Sequence, residues 1–501
     1  MATSIGVGRV VATRHDDSVD PVGRIVVVGG GITGLAAAWH ARRLAAEAGR
    51  SVDIVVLEAG DRIGGKVHTV RRDGWVIEAA PDSFLTTKPW ARDLALALGL
   101  GDRLVSQRPG GRRVFVLHDG ALVPLPAGFR LAAPTDLGAF LRTPLVSWPG
   151  KLRALLDLVR PARREEGDES MADFVRRRMG REVLERLAAP LMAGIHVGDP
   201  ERLSIEATFP QLAALERRHG SLIRGLRRSA TDRPKDGAGA AATFASLSGG
   251  VGDLVDALAT DLGGIVRTRS VVARIARDGR VGAARDDHTP FTVTLADGST
   301  IGADAVIVAT PGPATARLIA DVAPEAARIA GAVRHVSSAT VSLGYRRDDV
   351  AHPLDGLGII VPRSEGVRWL ACSWSSSKWD GRAPDGHVLV RLFYGGDGRE
   401  SEAELDEGTL VEWAKEDAGA VLGATGAPVI AHAFRWVKGN PQYDVGHEGR
   451  VNAAAAACPA ALVLAGATWR GVGVPDCVRQ AIGAAETVLG AIHPRSDGQS
   501  I

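Results

Sequence analysis

Arg24-Ile-Val-Val-Val-Gly-Gly-Gly-Ile-Thr-Gly34 is the stretch that decides the fold of this chain. Ile25 to Val28 are four apolar β-branched residues, the pattern of a strand buried on both faces of a parallel sheet. Gly29-x-Gly31-x-x-Gly34 follows, and an alanine-rich helix opens at Leu35-Ala-Ala-Ala-Trp-His-Ala41. At that spacing the first glycine makes the tight turn and the second lets the backbone approach a pyrophosphate. The third lets helix and strand pack closely. The free N–H groups of the helix N-terminus, Ile32 and Thr33 among them, face the anion. In a chain with 61 glycines the pattern alone is weak. Its context is strong, because a second strand, Val52-Asp-Ile-Val-Val-Leu57, ends at Glu58. That carboxylate stands near the ~20-residue distance expected for one that holds an adenosine ribose. The unit is a complete βαβ dinucleotide fold.

Composition bounds the rest. A chain of 501 residues is too long for one ordinary core and divides into two or three domains. Sixty Lys and Arg against 58 Asp and Glu leave a net charge of +2, which makes no case for nucleic acid. Cys372, Cys458 and Cys477 are far apart, which argues against a disulfide framework or a structural zinc and fits a reducing, cytoplasmic setting. Residues 1–22 lack an apolar core, so they read as a flexible tail and not a secretory signal. No run of ~18 apolar residues is present, so no transmembrane segment is expected.

Along the chain, Ala59-Gly-Asp-Arg-Ile-Gly-Gly-Lys66 places Gly64 and Gly65 between Arg62 and Lys66, a loop suited to a diphosphate or a flavin edge. Two short strands at 113–117 and 121–125 precede amphipathic, Arg-flanked helices at 151–159, 170–179 and 182–194. Core packing is the first reading of those helices, and a membrane-surface patch is the alternative. Residues 225–243 read as a mobile connection. Apolar segments at 303–311 and 461–466 return to the nucleotide sheet, and alternating strands at 340–345, 358–362, 367–373 and 387–393 form an antiparallel sheet. A glycine-rich loop from Gly466 to Gly473 then leads to a helix N-terminus at Val474-Pro475-Asp476, a dipole suited to negative charge on a reduced flavin. Repeated returns to one sheet fit a long FAD better than NAD.

The fold class is α/β: a discontinuous, Rossmann-like FAD-binding domain with an inserted α+β substrate domain and a mainly helical insertion. The expected FAD-binding segments are 23–80, 246–315 and 432–501. The substrate-binding segments are 81–109, 218–245 and 316–431, and 110–217 is mainly helical.

These residues resemble the amine-oxidase superfamily of FAD enzymes. Ala80-Pro-Asp-Ser-Phe-Leu85, Pro190-Leu-Met-Ala-Gly-Ile-His-Val-Gly-Asp199 with Thr208-Phe-Pro-Gln211, Pro441-Gln-Tyr-Asp-Val-Gly-His447 and Arg470-Gly-Val-Gly-Val-Pro-Asp-Cys477 are similar to its protoporphyrinogen/coproporphyrinogen oxidase branch. The Pro-Asp-Ser-Phe form looks most like the soluble Gram-positive type. Lys66 stands where Arg is common, Ala80 where Gly is usual, and Val-Arg-Gln-Ala follows Cys477. The resemblance implies oxidation of coproporphyrinogen III to coproporphyrin III in three hydride transfers to flavin N5. O2 is the acceptor and H2O2 the product, and heme biosynthesis is the setting. It also implies that the Val272 backbone holds the adenine, that Trp436 belongs to the cofactor set, and that the protein is a monomer or homodimer. No protein side chain is assigned as catalytic and no metal site is expected; His68, His196 and His447 read as structural or lining. Lys88, Arg363, Lys378 and Arg391 are the candidate partners of the propionates. The competing readings are protoporphyrinogen IX oxidase, an amine or carotenoid oxidase, and a non-catalytic escort protein on the same scaffold.

Overall fold

The computed structural model describes residues 23–108, 113–165, 167–231, 243–277 and 290–492. The tail read at 1–22 lies outside them. So does most of the 225–243 connection, although a helix, Leu222–Thr231, runs into its start.

In chain order the strands that build the two main sheets are β1 (Arg24–Val28), β2 (Asp53–Leu57), β3 (Val114–His118), β4 (Ala121–Pro124), β5 (Val266–Arg267), β6 (Ala305–Val308), β7 (His335–Arg346), β8 (Gly358–Ile360), β9 (Trp369–Trp374), β10 (His387–Gly395), β11 (Ile430–Pro441) and β12 (Leu462–Leu464). Two helices matter most: α1 (Ile32–Glu47) and α2 (Val474–Ala491).

The first sheet is parallel, in the order β5-β2-β1-β6-β12. Ile25 pairs with Ile54 on one side and Ala305 on the other, so the opening strand is central. Its apolar run follows from that place. Ile25 and Val27 enter the core under α1 and α2, whereas Val26 and Val28 enter the core on the opposite face. Alanines make the helix layer close: Ala36, Ala37, Ala38 and Ala41 of α1 share one core with Ala481, Ala484 and Ala485 of α2. Each fully buried Val or Ile adds about 1.5–3 kcal/mol of transfer free energy, so β1 anchors the domain. The expected returns to the sheet are β6 and β12.

The second sheet has seven strands, in the order β11-β7-β10-β9-β8-β3-β4. All its pairs are antiparallel except β8 with β3. β3 and β4 come from the stretch expected to open the helical insertion, yet they complete this sheet. Period-2 alternation is the reason: Phe115 and Leu117 point into the sheet's own core with Trp374, while Val116 points into the helical core. β11 likewise pairs with β7 along its length, so the sheet extends past the expected boundary at 432.

The helical layer holds Trp148–Leu155, Met171–Met179, a continuous run from Arg181 to His196 with one π-turn, and Pro210–His219. Ser170 caps the second of these, its Oγ accepting from the Asp173 backbone N–H at 3.0 Å. Most apolar side chains of the layer face inward. Trp148, Leu152, Leu156 and Val159 instead form an outward stripe; Trp148 and Leu152 are each 62% exposed and Val159 76%. From 137 to 164 the sequence holds six Lys and Arg but one carboxylate, Asp157, which is buried against Arg178.

Among the described residues no helix is long and apolar enough to cross a membrane.

Candidate functional site

A cavity of about 920 Å³ lies at the C-terminal ends of β1, β2 and β6 and reaches the second sheet and the helical layer. The glycine turn contributes Gly29, Gly31, Ile32 and Thr33 to its wall. Glu58 and Ala59 line it from the end of β2, and Gly64, Gly65 and Lys66 from the following loop. Val272, Trp436, Gly466, Gly473 and Val474 join them from later segments. The residues expected to meet a dinucleotide are thus largely brought together.

The two glycine loops lie against each other: the Gly64 N–H donates to the Gly30 carbonyl at 2.8 Å, and Gly31 bridges Gly64. A side chain on Gly31 would project into open cavity, its nearest neighbour being the Gly65 Cα at 3.9 Å. Gly34 plays the other role expected of it. A Cβ there would stand 1.9 Å from the Gly29 carbonyl oxygen, so the close packing of turn and helix requires glycine.

Glu58 is held by backbone. Its Oε2 accepts from the Gly30 N–H at 2.7 Å and its Oε1 from the Gly60 N–H at 2.8 Å. Gly31 caps the start of α1 and Gly473 that of α2, and neither first turn has a side-chain cap. Both cap glycines line the one cavity, so two sets of free N–H groups and two positive dipole ends converge there. Lys66 is half-buried in the same wall. Its Nζ donates to the Gly439 carbonyl, and burial pushes its pKa down. This chemistry, open backbone donors, one fixed carboxylate and a half-buried cation, fits a phosphate-bearing dinucleotide.

Four expected residues stand outside the lining. Gly34 is behind the turn, and Arg62 donates to the Ile63 and Gly65 carbonyls. Pro475 and Asp476 are buried in the first turn of α2, where both Asp476 carboxylate oxygens accept from the Lys88 Nζ at 2.8 and 2.7 Å.

The substrate-side cations do not line the cavity either. Lys88 is taken up by Asp476. The Arg363 Nη2 donates to the Asp397 carbonyl at 2.7 Å on the surface. The Lys378 Nζ donates to both oxygens of Asp82 at 2.9 and 3.0 Å, and Arg391 Nη2 lies 3.4 Å from the same carboxylate. The wall of the cavity away from the glycine turn is built instead from Ala80, Pro81 and Ser83, from Gly194 to Val197, and from Thr340 and Phe393. Asp82 as an anchor and Phe393 as a lining residue are not expected from the 80–85 and 387–393 stretches. A lone acid between Pro and Ser reads as a turn.

His196 lies in this wall, with Nδ1 buried and unpartnered; burial and then the charge of Lys88 push its pKa down to about 4. His447 is also neutral, its pKa pushed down to about 4 chiefly by burial, and its Nε2–H donates to the Trp469 carbonyl at 2.8 Å. Among the described residues one trio has metal-ligand chemistry, His118, Asp119 and Glu365, and none of it lines the cavity.

The model of the family described as flavin containing amine oxidoreductase matches residues 32–489. The coproporphyrinogen III oxidase of Bacillus subtilis (strain 168) is 34% identical over 93% of this chain and 97% of its own length. That of Propionibacterium freudenreichii subsp. freudenreichii is 36% identical over 93% and 91%. The chloroplastic protoporphyrinogen oxidase of Oryza sativa subsp. japonica is 32% identical over 92% and 87%. A solved structure from Exiguobacterium sp. 255-15 superimposes with a TM-score of 0.81 at 32% identity, over 93% of this chain and 98% of that one. A putrescine oxidase at 16% identity and a TM-score of 0.67 shares the fold.

Proposed function

Because this chain belongs to the flavin containing amine oxidoreductase family, we propose that it is an FAD-dependent oxidase of porphyrinogens in heme biosynthesis. It converts coproporphyrinogen III to coproporphyrin III, with O2 as acceptor and H2O2 as product. The observation that carries this reading is the near full-length likeness to proteins named coproporphyrinogen III oxidase.

Gly29 to Gly34 and the α1 N-terminus bind the diphosphate, Glu58 the ribose and the Val272 backbone the adenine. Ala59 and Gly64 to Lys66 close over the middle of the cofactor, with Arg62 holding that loop through the Ile63 and Gly65 carbonyls. Trp436, Gly466 and the α2 N-terminus at Gly473 and Val474 hold its flavin end. When bound, FAD supplies the hydride acceptor at N5 and passes electrons to O2. The protein's part is to place one porphyrinogen face against the cofactor, exclude water, and set the charge around both. Buried His196 and His447, neutral at working pH, line and support the site without storing protons.

Protoporphyrinogen IX is the second reading, favoured by the chloroplastic relative. A cytoplasmic monomer or homodimer is the expected form. The apolar stripe at Trp148 and its cations suit transient contact with an anionic membrane surface. The deciding experiment is turnover of both porphyrinogens by the purified, flavin-loaded protein, with O2 uptake and porphyrin fluorescence followed together. Faster fluorescence gain with coproporphyrinogen III supports the main reading and faster gain with protoporphyrinogen IX the second. A colourless protein, or H2O2 formed only from amines, overturns both.

A further inference from the structure

The strongest unexplained feature beside the cavity is a buried set of five charges beneath the segment Glu78–Ser83. Ala80, Pro81 and Ser83 of that segment line the cavity, but Asp82 turns away from it into the protein. There it meets Lys378 and Arg391, and the Asp82, Lys378 and Arg391 side chains are 9%, 16% and 5% exposed. Asp82 lies 296 residues from Lys378 in sequence, so the pairing is purely tertiary.

The segment is fastened one carbonyl after another. Arg391 Nη1 donates to the carbonyls of Glu78 at 3.0 Å and Ala80 at 2.9 Å. The Ala79 carbonyl accepts from Thr340 Oγ1 at 2.8 Å and Trp436 Nε1 at 3.1 Å. The Asp82 carbonyl accepts from Ser246 Oγ at 2.7 Å, which also accepts from Arg382 Nη2. Such a set of bonds leaves the mouth segment little freedom to move.

The charges do not balance. Lys378, Arg382 and Arg391 face Glu78 and Asp82; Arg382 also faces Asp253, but that carboxylate is already bound by Arg71 and Arg103, so positive charge is left over. Glu78 itself carries less than a full negative charge near neutrality, because burial pushes its pKa up to about 7. The surplus is not remote from the site: the Arg391 guanidinium stacks 4.9 Å from the ring centre of Phe393, whose ring lines the cavity. In a dry interior that field reaches a bound anion with little screening.

We propose that this cluster is the specificity element of the substrate mouth, holding Ala80–Ser83 in place and favouring substrates with more carboxylates. The inference rests on the porphyrinogen reading above. Lys378 and Arg391 then act without touching substrate. They are positioning residues that work through Asp82, Pro81 and Phe393, and the tetracarboxylate coproporphyrinogen III gains more from them than the dicarboxylate protoporphyrinogen IX.

The test is steady-state turnover of both porphyrinogens by holoenzyme carrying Lys378→Met, which leaves Asp82 paired with Arg391. KM for coproporphyrinogen III is expected to rise about tenfold and that for protoporphyrinogen IX about threefold, with kcat and flavin absorbance unchanged. Binding of coproporphyrin III, read by fluorescence titration, weakens in parallel. Lys378→Arg restores both substrates. If Lys378→Met is poorly folded, Lys378→Gln, which keeps a hydrogen bond to Asp82, serves with the same expectation. Equal changes for the two substrates, or none, overturn the role of the cluster while wild-type turnover leaves the porphyrinogen reading standing. A wild-type holoenzyme that neither oxidises a porphyrinogen nor binds coproporphyrin III overturns the reading and the inference together.

Discussion

The two walls of the cavity are built by opposite means. The cofactor wall is mostly backbone: glycines, two helix N-termini, and one carboxylate held by the N–H groups of Gly30 and Gly60. The mouth wall is shaped by buried side chains brought from distant segments, with Asp82 at their centre. A backbone wall depends on what is absent, a Cβ. A side-chain wall depends on charges that must find each other, because an unpaired buried charge is costly. Damage to the first therefore removes the cofactor, whereas damage to the second costs stability and changes substrate preference.

The harshest break of the cofactor wall is Gly34→Val. With a Cβ 1.9 Å from the Gly29 carbonyl oxygen, the turn and α1 cannot keep their packing. The purified variant is expected to lack flavin absorbance and to melt well below the wild type. Retained flavin at full occupancy would refute the packing role of Gly34.

On the mouth wall, Asp82→Ala leaves Lys378 and Arg391 buried without their carboxylate. It is expected to cost about 3–5 kcal/mol in denaturant unfolding. Asp82→Ala combined with Lys378→Met is expected to recover part of that loss, since a buried cation leaves with its partner. A double variant as unstable as the sum of its parts would show that the residues are not coupled.

Glu78 gives the comparison a pH axis. Burial, its largest influence, raises its pKa from 4.5 to about 7, against hydrogen bonds from Thr69 Oγ1 and the Val251 N–H and the charge of Arg382. Over that window the folded protein binds the proton more tightly than the unfolded chain. Stability therefore falls as pH rises from about 4.5 to about 7, by up to about 3 kcal/mol from this group. Glu78→Gln is expected to flatten that part of the unfolding profile, and an unchanged slope would show that Glu78 is not its source.

The smallest effect lies far from both walls. Trp148→Ser removes an exposed ring from the outward stripe. It is expected to leave melting and flavin content unchanged and to lower co-sedimentation with anionic phospholipid vesicles severalfold. Equal sedimentation of variant and wild type would discard the membrane contact.

Much of the cofactor wall was legible before any coordinates, and the reason is locality. Gly29, Gly31, Gly34 and Glu58 do their work within one βαβ unit, where spacing along the chain sets spacing in space. Gly473 and Val474 were legible because a glycine-rich loop followed by Val-Pro-Asp marks a helix start. The mouth was legible only as sequence stretches. Lys378 and Arg391 were read as propionate partners because cations are expected near carboxylates; the fold gives them Asp82 instead. Lys88 was lost to Asp476 in the same way. β3 and β4 form the expected hairpin, but that they close the second sheet beside β8 was not legible, since a period of two says which faces are apolar and not which core each face will meet.

The sequence by itself determined the parallel nucleotide sheet, the glycine turn, the carboxylate after β2 and the uncapped helix starts. These follow from steric rules acting between near neighbours. Only the tertiary structure decided which cations are free, which carboxylate neutralises them, and which strands close the second sheet. Pairing of buried charges is a competition among residues far apart in the chain, and the packed fold settles it.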